Sequence, residues 1–455
     1  MQLKGTYKEI LQIAFPIILG SFAQSINQFI DMVFMGRVGI VEMGATNIGG
    51  LLYFLIVIIG MGFTKGGQIL IAKKTGEDDP KGVGNLFWHL LLILLIYFTI
   101  TFTASLFGSK SLLSIILQSP QTIENSNIYY QSRIYGLLFC LLSAGFNGFF
   151  SGIGKTFIIS ASTIIMVLVN IFLDYAMIFG NFGFEKMGIQ GAGLATSIAE
   201  MVGFLVFVSY LIYKKYIKTY NILPLPTFKL NTLKTMFELS IPLCFQYAFG
   251  LGSWLIFFLL IEKMGESALA ISSVLKSIYI FVGIPAWSLA STANTVVANI
   301  WGQGKIELIS KALWRVVKVS FLLSFVFILG LILFPTQVLA FYLPNNTDLL
   351  KDSISSLYVI TIALTIMSFS TILLHGIMGL GKTKFSFIVE VCCAVFYLFF
   401  VVITVNILSC PLYIVWMAEI IYWLIMLIFC IYFLKFTNWK NDLIYGDEKL
   451  VSDVV

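Results

Sequence analysis

Five carboxylates stand inside long apolar stretches of the sequence, where an ionised side chain is costly. They are Asp31, Asp174, Glu200, Glu390 and Glu419. A charge within the hydrocarbon of a membrane costs several kcal/mol unless it is paired or faces water, and such residues commonly mark ion or substrate pathways. These five acids are therefore the first candidates for function.

Asp31 and Asp174 each lie shortly before a glycine that ends an apolar stretch, so we expect both at one depth. Each also has an asparagine four residues earlier, Asn27 and Asn170, which places amide and carboxylate on one helical face. Desolvation and like-charge repulsion favour binding of one proton by such a pair, and a cation can replace that proton. The spacing predicts a proton or sodium site. The alternative is that Asp31 pairs with Arg133 and Asp174 caps a helix end near the headgroups.

Glu200 lies in mid-stretch after Gly191–Thr196, whose small residues permit close approach of another helix. It could face the same cavity as the two aspartates. Pairing with Lys65 is an equally good interpretation, and the sequence does not choose between them.

Glu390 and Glu419 give the second half of the chain its own buried acids, with Lys276 as a buried or half-buried base. In the internal repeat described below, the counterpart of Asp31 is Phe257, so the halves differ chemically. We therefore expect ion coupling in the first half, and interpret Glu390 and Glu419 as substrate-cavity or structural groups.

The composition indicates a membrane protein. Of the 455 residues, 59% are hydrophobic and 11% charged, against roughly 25% charged in soluble domains. A helix needs about 20 apolar residues to cross the hydrocarbon core. The predicted spans are 8–36, 46–74, 84–107, 121–152, 156–180, 189–214, 231–262, 267–301, 307–333, 347–378, 383–408 and 411–436.

The distribution of Lys and Arg indicates the orientation. Placing the N-terminus inside puts most basic residues of the connecting segments on the cytoplasmic side, which predicts two cytoplasmic termini. The first span is too long for a signal-peptide core and is expected to be retained. The net charge of +6 comes from these connections and does not indicate nucleic-acid binding.

The chain repeats itself. At one constant spacing, Pro16 matches Pro242, Gly39 matches Gly265 and Tyr53 matches Tyr279. The longest polar connection, 214–234, separates the copies. We predict an N-terminal six-helix bundle over 1–220 and a C-terminal one over 221–455, which enter the membrane from the same side as parallel repeats. Transporters commonly place their substrate path between such halves.

Two motifs do not indicate enzymatic chemistry. The stretch Gly376–Thr383 matches the phosphate-loop pattern GxxxxGKT but joins two membrane spans, whereas that loop requires a preceding strand. We interpret its glycines as a tight cytoplasmic turn. His89 and His375 have no second ligand at helical spacing, so no metal site is expected.

A family resemblance accounts for these features together. Three groups of residues carry it, namely Pro16 with Ile30-Asp31 and Gly36–Gly39, Asn170–Asp174 with Ile178–Gly180, and Gly191–Thr196. Through them the sequence resembles the multidrug and toxic compound extrusion family over nearly the whole chain. The resemblance implies twelve helices in two pseudo-symmetric six-helix bundles.

What the resemblance implies is a secondary antiporter that exports organic cations and drugs against inward proton or sodium flux. One branch is thought to bind its coupling cation in the first half, at positions that match Asp31, Asn170, Asp174, Thr196 and Tyr129 here. Another branch uses acids on the seventh and tenth spans. This sequence has Gly250 near the former and no acid within the latter, so it departs from that pattern.

The resulting expectation is a monomeric, multi-pass exporter in the cytoplasmic membrane of a bacterium, without a cofactor beyond the coupling ion and with no nucleic-acid partner. Its partners are the bilayer and small-molecule substrates. The alternatives are a lipid-linked oligosaccharide flippase, a membrane-embedded lipid-modifying enzyme, and a channel.

Overall fold

The computed structural model of the chain describes residues 2–223, 228–342 and 347–443, without the side chains of 347, 348, 351 and 352. Pro224 and Pro226 of the predicted linker lie outside these residues.

All regular secondary structure in the described part is helical. Its helices are α1 Tyr7–Val38, α2 Ile40–Gly76, α3 Pro80–Ile116, α4 Pro120–Ile134, α5 Leu137–Gly152, α6 Phe157–Phe179, α7 Ile189–Tyr213, α8 Tyr216–Thr219, α9 Leu230–Glu262, α10 Glu266–Gly302, α11 Ile306–Leu333, α12 Pro335–Tyr342, α13 Thr347–Gly379, α14 Thr383–Val402 with a π-helical turn Ile403–Ile407, and α15 Leu412–Phe436.

Eleven described helices are long and apolar enough to cross a membrane, and α4 with α5 forms a twelfth span bent by 52°. The predicted all-α membrane fold is confirmed. Several helices extend past their predicted ends, because polar residues continue a helix outside the hydrocarbon until a breaker stops it. Helix α2, for example, begins directly after Gly39 and not at residue 46.

Helix starts follow from local sequence. Thr6 and Glu9 form a reciprocal capping box at α1, in which Glu9 Oε2 accepts from Thr6 N at 2.9 Å and Thr6 Oγ1 accepts from Glu9 N at 3.3 Å. Asp79 caps α3 by accepting from Gly82 N at 2.8 Å, with Pro80 in the first helical position.

The chain forms two compact units. The first unit contains Phe15–Cys244, and the second contains Phe245–Val455 together with Met1–Ala14, as far as these are described. Helices α1 and α9 therefore each contribute to both units. The predicted division at 220/221 stays a prediction about the arrangement of the chain.

Each unit has an aromatic-rich core. In the first unit, Phe87, Phe149, Phe150 and Phe207 pack with buried aliphatic side chains of α2, α3, α5 and α6. In the second unit, buried Phe257 packs on Tyr397 and Trp416. Rigid, well-packed helices hold the polar groups described below.

The N-terminal segment belongs to the second unit through specific contacts. Leu3 N donates to Asn299 Oδ1 at 2.9 Å, and Gln303 Nε2 donates to Leu3 O at 2.7 Å. Arg315 Nη1 donates to Gly5 O at 2.9 Å. These bonds fix the backbone ahead of α1 against the ends of α10 and α11.

The stretch that imitates a phosphate loop forms the end of α13 and the turn into α14. Gly381 has φ +74°, and its repeat counterpart Gly154 has φ +71°. Both lie in the left-handed region that favours glycine. The interpretation of these glycines as a tight turn between spans is confirmed, while their cytoplasmic location stays a prediction.

Candidate functional site

Asp31 of α1 and Asp174 of α6 meet in the first unit. Their carboxyl groups are close enough to interact electrostatically, and Asp174 is only 1% exposed. The sequence predicted that the two acids share a depth, and the structure also turns them toward each other. The alternative that places Asp174 at a helix end near the headgroups does not hold, because its side chain is buried.

Two asparagines join the helices that carry the acids. Asn27 Nδ2 lies 3.1 Å from Asp31 Oδ2 and 2.6 Å from Asn170 Oδ1. Asn170 Nδ2 in turn donates to Asp174 Oδ2 at 3.1 Å and lies 3.4 Å from Thr196 Oγ1. The predicted pairing of each amide with the acid four residues later is therefore present, and the amides add a bond between α1 and α6.

Three oxygens of this cluster lack a hydrogen-bond donor among the described residues. Asn27 Oδ1, Asp31 Oδ1 and Asp174 Oδ1 are buried and have no partner there. Buried acceptors are normally satisfied, because an unsatisfied one keeps its full desolvation cost. A cation can be coordinated by several acceptor oxygens at once, and a proton on one carboxyl provides one of the missing donors.

Tyr129 of α4 lies beside the cluster. It interacts electrostatically with Asp31 and Asp174, and its ring packs among Met35 of α1 and residues of α6 and α7. The structure thus brings together Asp31, Asp174, Asn27, Asn170, Thr196 and Tyr129, the six predicted cation-coupling residues. Their coupling role stays a prediction.

Glu200 forms a buried ion pair with Arg133 in the first unit. Arg133 Nη1 and Nη2 both lie 3.1 Å from Glu200 Oε1, and Tyr53 Oη donates to Glu200 Oε2 at 3.0 Å. The Arg133 guanidinium also stacks over the Tyr53 ring, 4.0 Å from its centroid. The alternative in which Arg133 forms an ion pair with Asp31 does not hold, because the guanidinium pairs with Glu200.

The break between α4 and α5 permits this arrangement. A side chain at Gly136 would meet Glu200 Oε2 and the Ser197 Cα, so glycine lets α7 approach the break. Ser197 Oγ lies 3.0 Å from Ser132 O and 3.2 Å from Arg133 O. Its hydroxyl therefore lies at the carbonyls of the break, where Arg133 O also accepts from Gly136 N at 3.0 Å.

Glu419 of the second unit, like Glu200, accepts from a tyrosine hydroxyl, but its other partners differ. Tyr279 Oη donates to Glu419 Oε2 at 3.0 Å, while Trp254 Nε1 and Tyr397 Oη donate to Glu419 Oε1 at 2.9 and 3.2 Å. Trp423 Nε1 donates to Tyr279 Oη at 2.7 Å. All donors are neutral, and no ion pair of Glu419 occurs in the described part of the chain.

The other three predicted cavity residues have partners of their own, although Lys276 also lies 5.8 Å from the centroid of the Trp254 ring that donates to Glu419. Glu390 accepts from the Tyr422 hydroxyl. Lys65 Nζ donates to Gln68 Oε1 at 2.9 Å, and Lys276 Nζ lies 5.0 Å from the centroid of the Phe258 ring. Glu200 thus pairs with Arg133 rather than with Lys65. Whether these residues contact substrate stays a prediction.

Sequence analysis missed Tyr53, Tyr279, Trp254 and Tyr422 as partners of the buried acids. The match of Tyr53 with Tyr279 in the repeat was the available signal for those two. Trp254 and Tyr422 carry no such signal, since aromatic side chains in apolar stretches are mostly packing residues. Among the described residues, no group of three or more His, Cys, Asp or Glu could hold a metal.

These observations define a polytopic α-helical membrane protein whose first unit holds one buried and one half-buried aspartate side by side. A profile of the MatE family matches residues 16–176 and 242–403, more than half of the chain. The protein belongs to the MatE family.

Curated relatives agree with this assignment. Probable multidrug resistance protein NorM of Agrobacterium fabrum is 27% identical over 48% of this chain and 46% of the relative. The NorM protein of Thermotoga maritima is 29% identical over 46% and 45%. The chain thus spans about half the length of these relatives, while probable multidrug resistance protein YoeA of Bacillus subtilis is 24% identical over 73% of each chain.

Solved structures share the fold. A MATE protein in complex with MaL6 aligns with a TM-score of 0.86 at 20% identity, over 98% of this chain and 96% of the other. An outward-facing multidrug resistance MATE family transporter of the MOP superfamily aligns with a TM-score of 0.85 at 20% identity over the same shares. At these identities the likeness shows the architecture and not the substrate.

Proposed function

We propose that this protein is a secondary antiporter that exports organic cations and other drugs, coupled to inward flux of protons or sodium ions. The observation that carries the proposal is the cluster of half-buried Asp31, buried Asp174 and Asn27, in which three acceptor oxygens lack donors among the described residues. A monovalent cation can be coordinated by these oxygens, a proton provides one of the missing donors, and either reduces the repulsion between the acids. Multidrug resistance in the names of the relatives supports the choice of substrate class.

Coupling requires that the ion bind one conformation more tightly than another, because a ligand with equal affinity for both shifts nothing. Ion binding changes the net charge at Asp31 and Asp174, and with it the hydrogen bonds of Asn27 and Asn170 that join α1 to α6. Occupancy of the site from outside therefore favours the conformation that releases substrate outward, and loss of the ion inside resets the protein.

The proposal includes location and assembly. The exporter lies in the bacterial cytoplasmic membrane with both termini in the cytoplasm, and it works as a monomer. It has no cofactor beyond the coupling ion and catalyses no covalent step.

The test is ethidium transport by purified protein in liposomes. A proton gradient and a sodium gradient are imposed separately, and dye movement is followed by fluorescence. We expect one gradient to drive transport by the unaltered protein. Asp31→Asn should reduce transport to the level of empty vesicles, because the amide cannot exchange a proton and removes the charge that attracts a cation.

The matched control is Glu124→Gln, which removes an acid on α4 that forms an exposed ion pair with Lys110. Exposed pairs contribute little, so this variant should transport normally. Equal amounts of folded protein are confirmed by size-exclusion chromatography. Undiminished gradient-driven transport by Asp31→Asn would remove Asp31 from the mechanism, and no response to either gradient would exclude ion coupling.

A further inference from the structure

Three lysines gather at the corner between α7 and α8 of the first unit. These corner lysines, Lys214, Lys215 and Lys218, are all exposed, and none of them forms an ion pair with an acid of the described chain. By contrast, Lys74 near the end of α2 pairs with Glu77 at 2.7 Å. The corner therefore presents three positive charges that no described acid neutralises.

The backbone brings the corner lysines together. Lys215 has φ +55°, in the left-handed region, and turns the chain from α7 into α8. Lys215 N donates to Ile212 O at 2.9 Å, and Lys218 N donates to Lys215 O at 3.1 Å, so one continuous turn carries all three residues. Because α7 is long and apolar enough to cross a membrane and ends at Tyr213, this turn lies directly beyond a span. Basic side chains in that place attract anionic headgroups.

Aromatic packing holds the corner in place. The centroid of the Tyr216 ring lies 6.3 Å from that of Phe150, and the centroid of the Tyr220 ring lies 5.4 Å from that of Phe149. Both phenylalanines belong to the buried core of the first unit. The corner is thus fixed before any ligand arrives, and a fixed surface loses less conformational entropy on binding than a mobile one.

The residues just before the corner lysines suit the edge of a membrane. Ile212 and Tyr213 end α7 and are 58% and 77% exposed. The Lys214 ammonium lies 5.2 Å from the centroid of the Tyr213 ring and 5.9 Å from that of Tyr210. Tyrosine is typical of the membrane–water interface, because its ring is apolar and its hydroxyl is polar. Since exposed apolar surface adjoins the charges, a lipid covers this corner more completely than a free anion does.

We propose that the corner lysines bind the phosphate of an anionic phospholipid, with Ile212 and Tyr213 against its glycerol and acyl groups. A phosphodiester fits because its oxygens accept hydrogen bonds from several ammonium groups and its charge opposes theirs. Phosphatidylcholine carries the same phosphate, but its quaternary ammonium repels the lysines. Binding changes no covalent bond, and it does not depend on whether the protein exports drugs.

The test is native mass spectrometry of the full chain in a nonionic detergent, titrated with dioleoyl phosphatidylglycerol or dioleoyl phosphatidylcholine. We expect the first phosphatidylglycerol to bind more tightly than phosphatidylcholine. Replacing all three corner lysines by glutamine should weaken phosphatidylglycerol binding about tenfold or more and leave phosphatidylcholine binding unchanged. Unchanged affinity for phosphatidylglycerol in this triple variant would overturn the proposal.

Two further variants separate the corner from net charge and from structure. The charge-matched control combines Lys305→Gln, Lys311→Gln and Lys318→Gln, which removes as many exposed lysines from positions six or seven residues apart around α11. It should keep tight binding of phosphatidylglycerol, and equal weakening in both triple variants would overturn the proposal. Replacing all three corner lysines by arginine keeps the charge and should keep the affinity. Loss of binding in a folded arginine variant would contradict a site based on charge.

A soluble phosphate is the other source of the same chemistry. Glycerol 1-phosphate, the headgroup portion without acyl chains, is added in large excess over the bound lipid. We expect it not to displace phosphatidylglycerol, and displacement would assign the corner to a soluble anion and overturn the lipid. Ethidium transport tests the exporter and this titration does not, so the failure of either proposal is recognised without the other.

Discussion

Tyr53 donates its hydroxyl to Glu200 across 3.0 Å, and the repeat-related Tyr279 donates to Glu419 across the same distance. The two units thus hold one buried carboxylate in the same way and balance its charge differently. Glu200 has the Arg133 guanidinium, whereas Glu419 has the Trp254 indole and other neutral donors. At the repeat spacing that matches Tyr53 to Tyr279, Glu200 matches Met426 and not Glu419, so the two tyrosines are equivalent but the acids that they serve are not.

The ion pair in the first unit predicts a non-additive pair of variants. Arg133→Met leaves the Glu200 charge buried without compensation and should lower the free energy of unfolding by about 3–5 kcal/mol. Glu200→Leu should be similarly destabilising, and the double variant should recover most of the loss. Thermal unfolding of purified protein in detergent measures all three. A double variant whose destabilisation equals the sum of the single variants would contradict a direct pair.

The amide bridge between α1 and α6 predicts a second effect. Asn27→Leu removes the donor to Asp31 Oδ2 and to Asn170 Oδ1, so both oxygens become unsatisfied at a cost of about 1–3 kcal/mol. We expect a lower unfolding temperature and slower ethidium transport. The control is Asn47→Leu at an exposed position of α2. Equal behaviour of the two variants would mean that the bridge does not contribute.

The close approach of α7 to α4 predicts a glycine-specific effect. A Cβ at Gly193 would lie 2.6 Å from Ser132 Cβ and 3.0 Å from Tyr129 O, whereas nothing lies within 4 Å of one at Gly44. Gly193→Ala should therefore lower the free energy of unfolding by about 1–3 kcal/mol through overpacking, whereas Gly44→Ala should leave it unchanged. Thermal unfolding of both variants decides, and an unaffected Gly193→Ala would show that α7 can move away freely.

The bond from Arg315 to Gly5 O predicts protection of the N-terminal segment. Arg315→Met removes a charged hydrogen bond worth about 1.5–3 kcal/mol, so local opening should rise about tenfold or more. Trypsin should then cut after Lys4 correspondingly faster, as followed by mass spectrometry. The control is Lys318→Met, at an exposed position of the same helix, which trypsin should cut after Lys4 at the original rate. No acceleration in Arg315→Met would show that the remaining contacts hold the segment.

The sequence by itself determined the spans, the duplication and the composition of each half-site. Hydrocarbon thickness and internal satisfaction of the backbone turn apolar runs into helices of a set length. Helical periodicity places Asn27 with Asp31, and Asn170 with Asp174, on one face of their own helix. These conclusions need only local spacing.

The tertiary structure decided which faces meet. It set Asn27 against Asn170, paired Arg133 with Glu200 and not with Asp31, and placed Tyr422 beside Glu390. Periodicity assigns a residue to a side of its helix, but the neighbour on that side depends on how all the helices pack. Glycines such as Gly136 control that packing through the volume they leave empty, which spacing along one chain does not reveal.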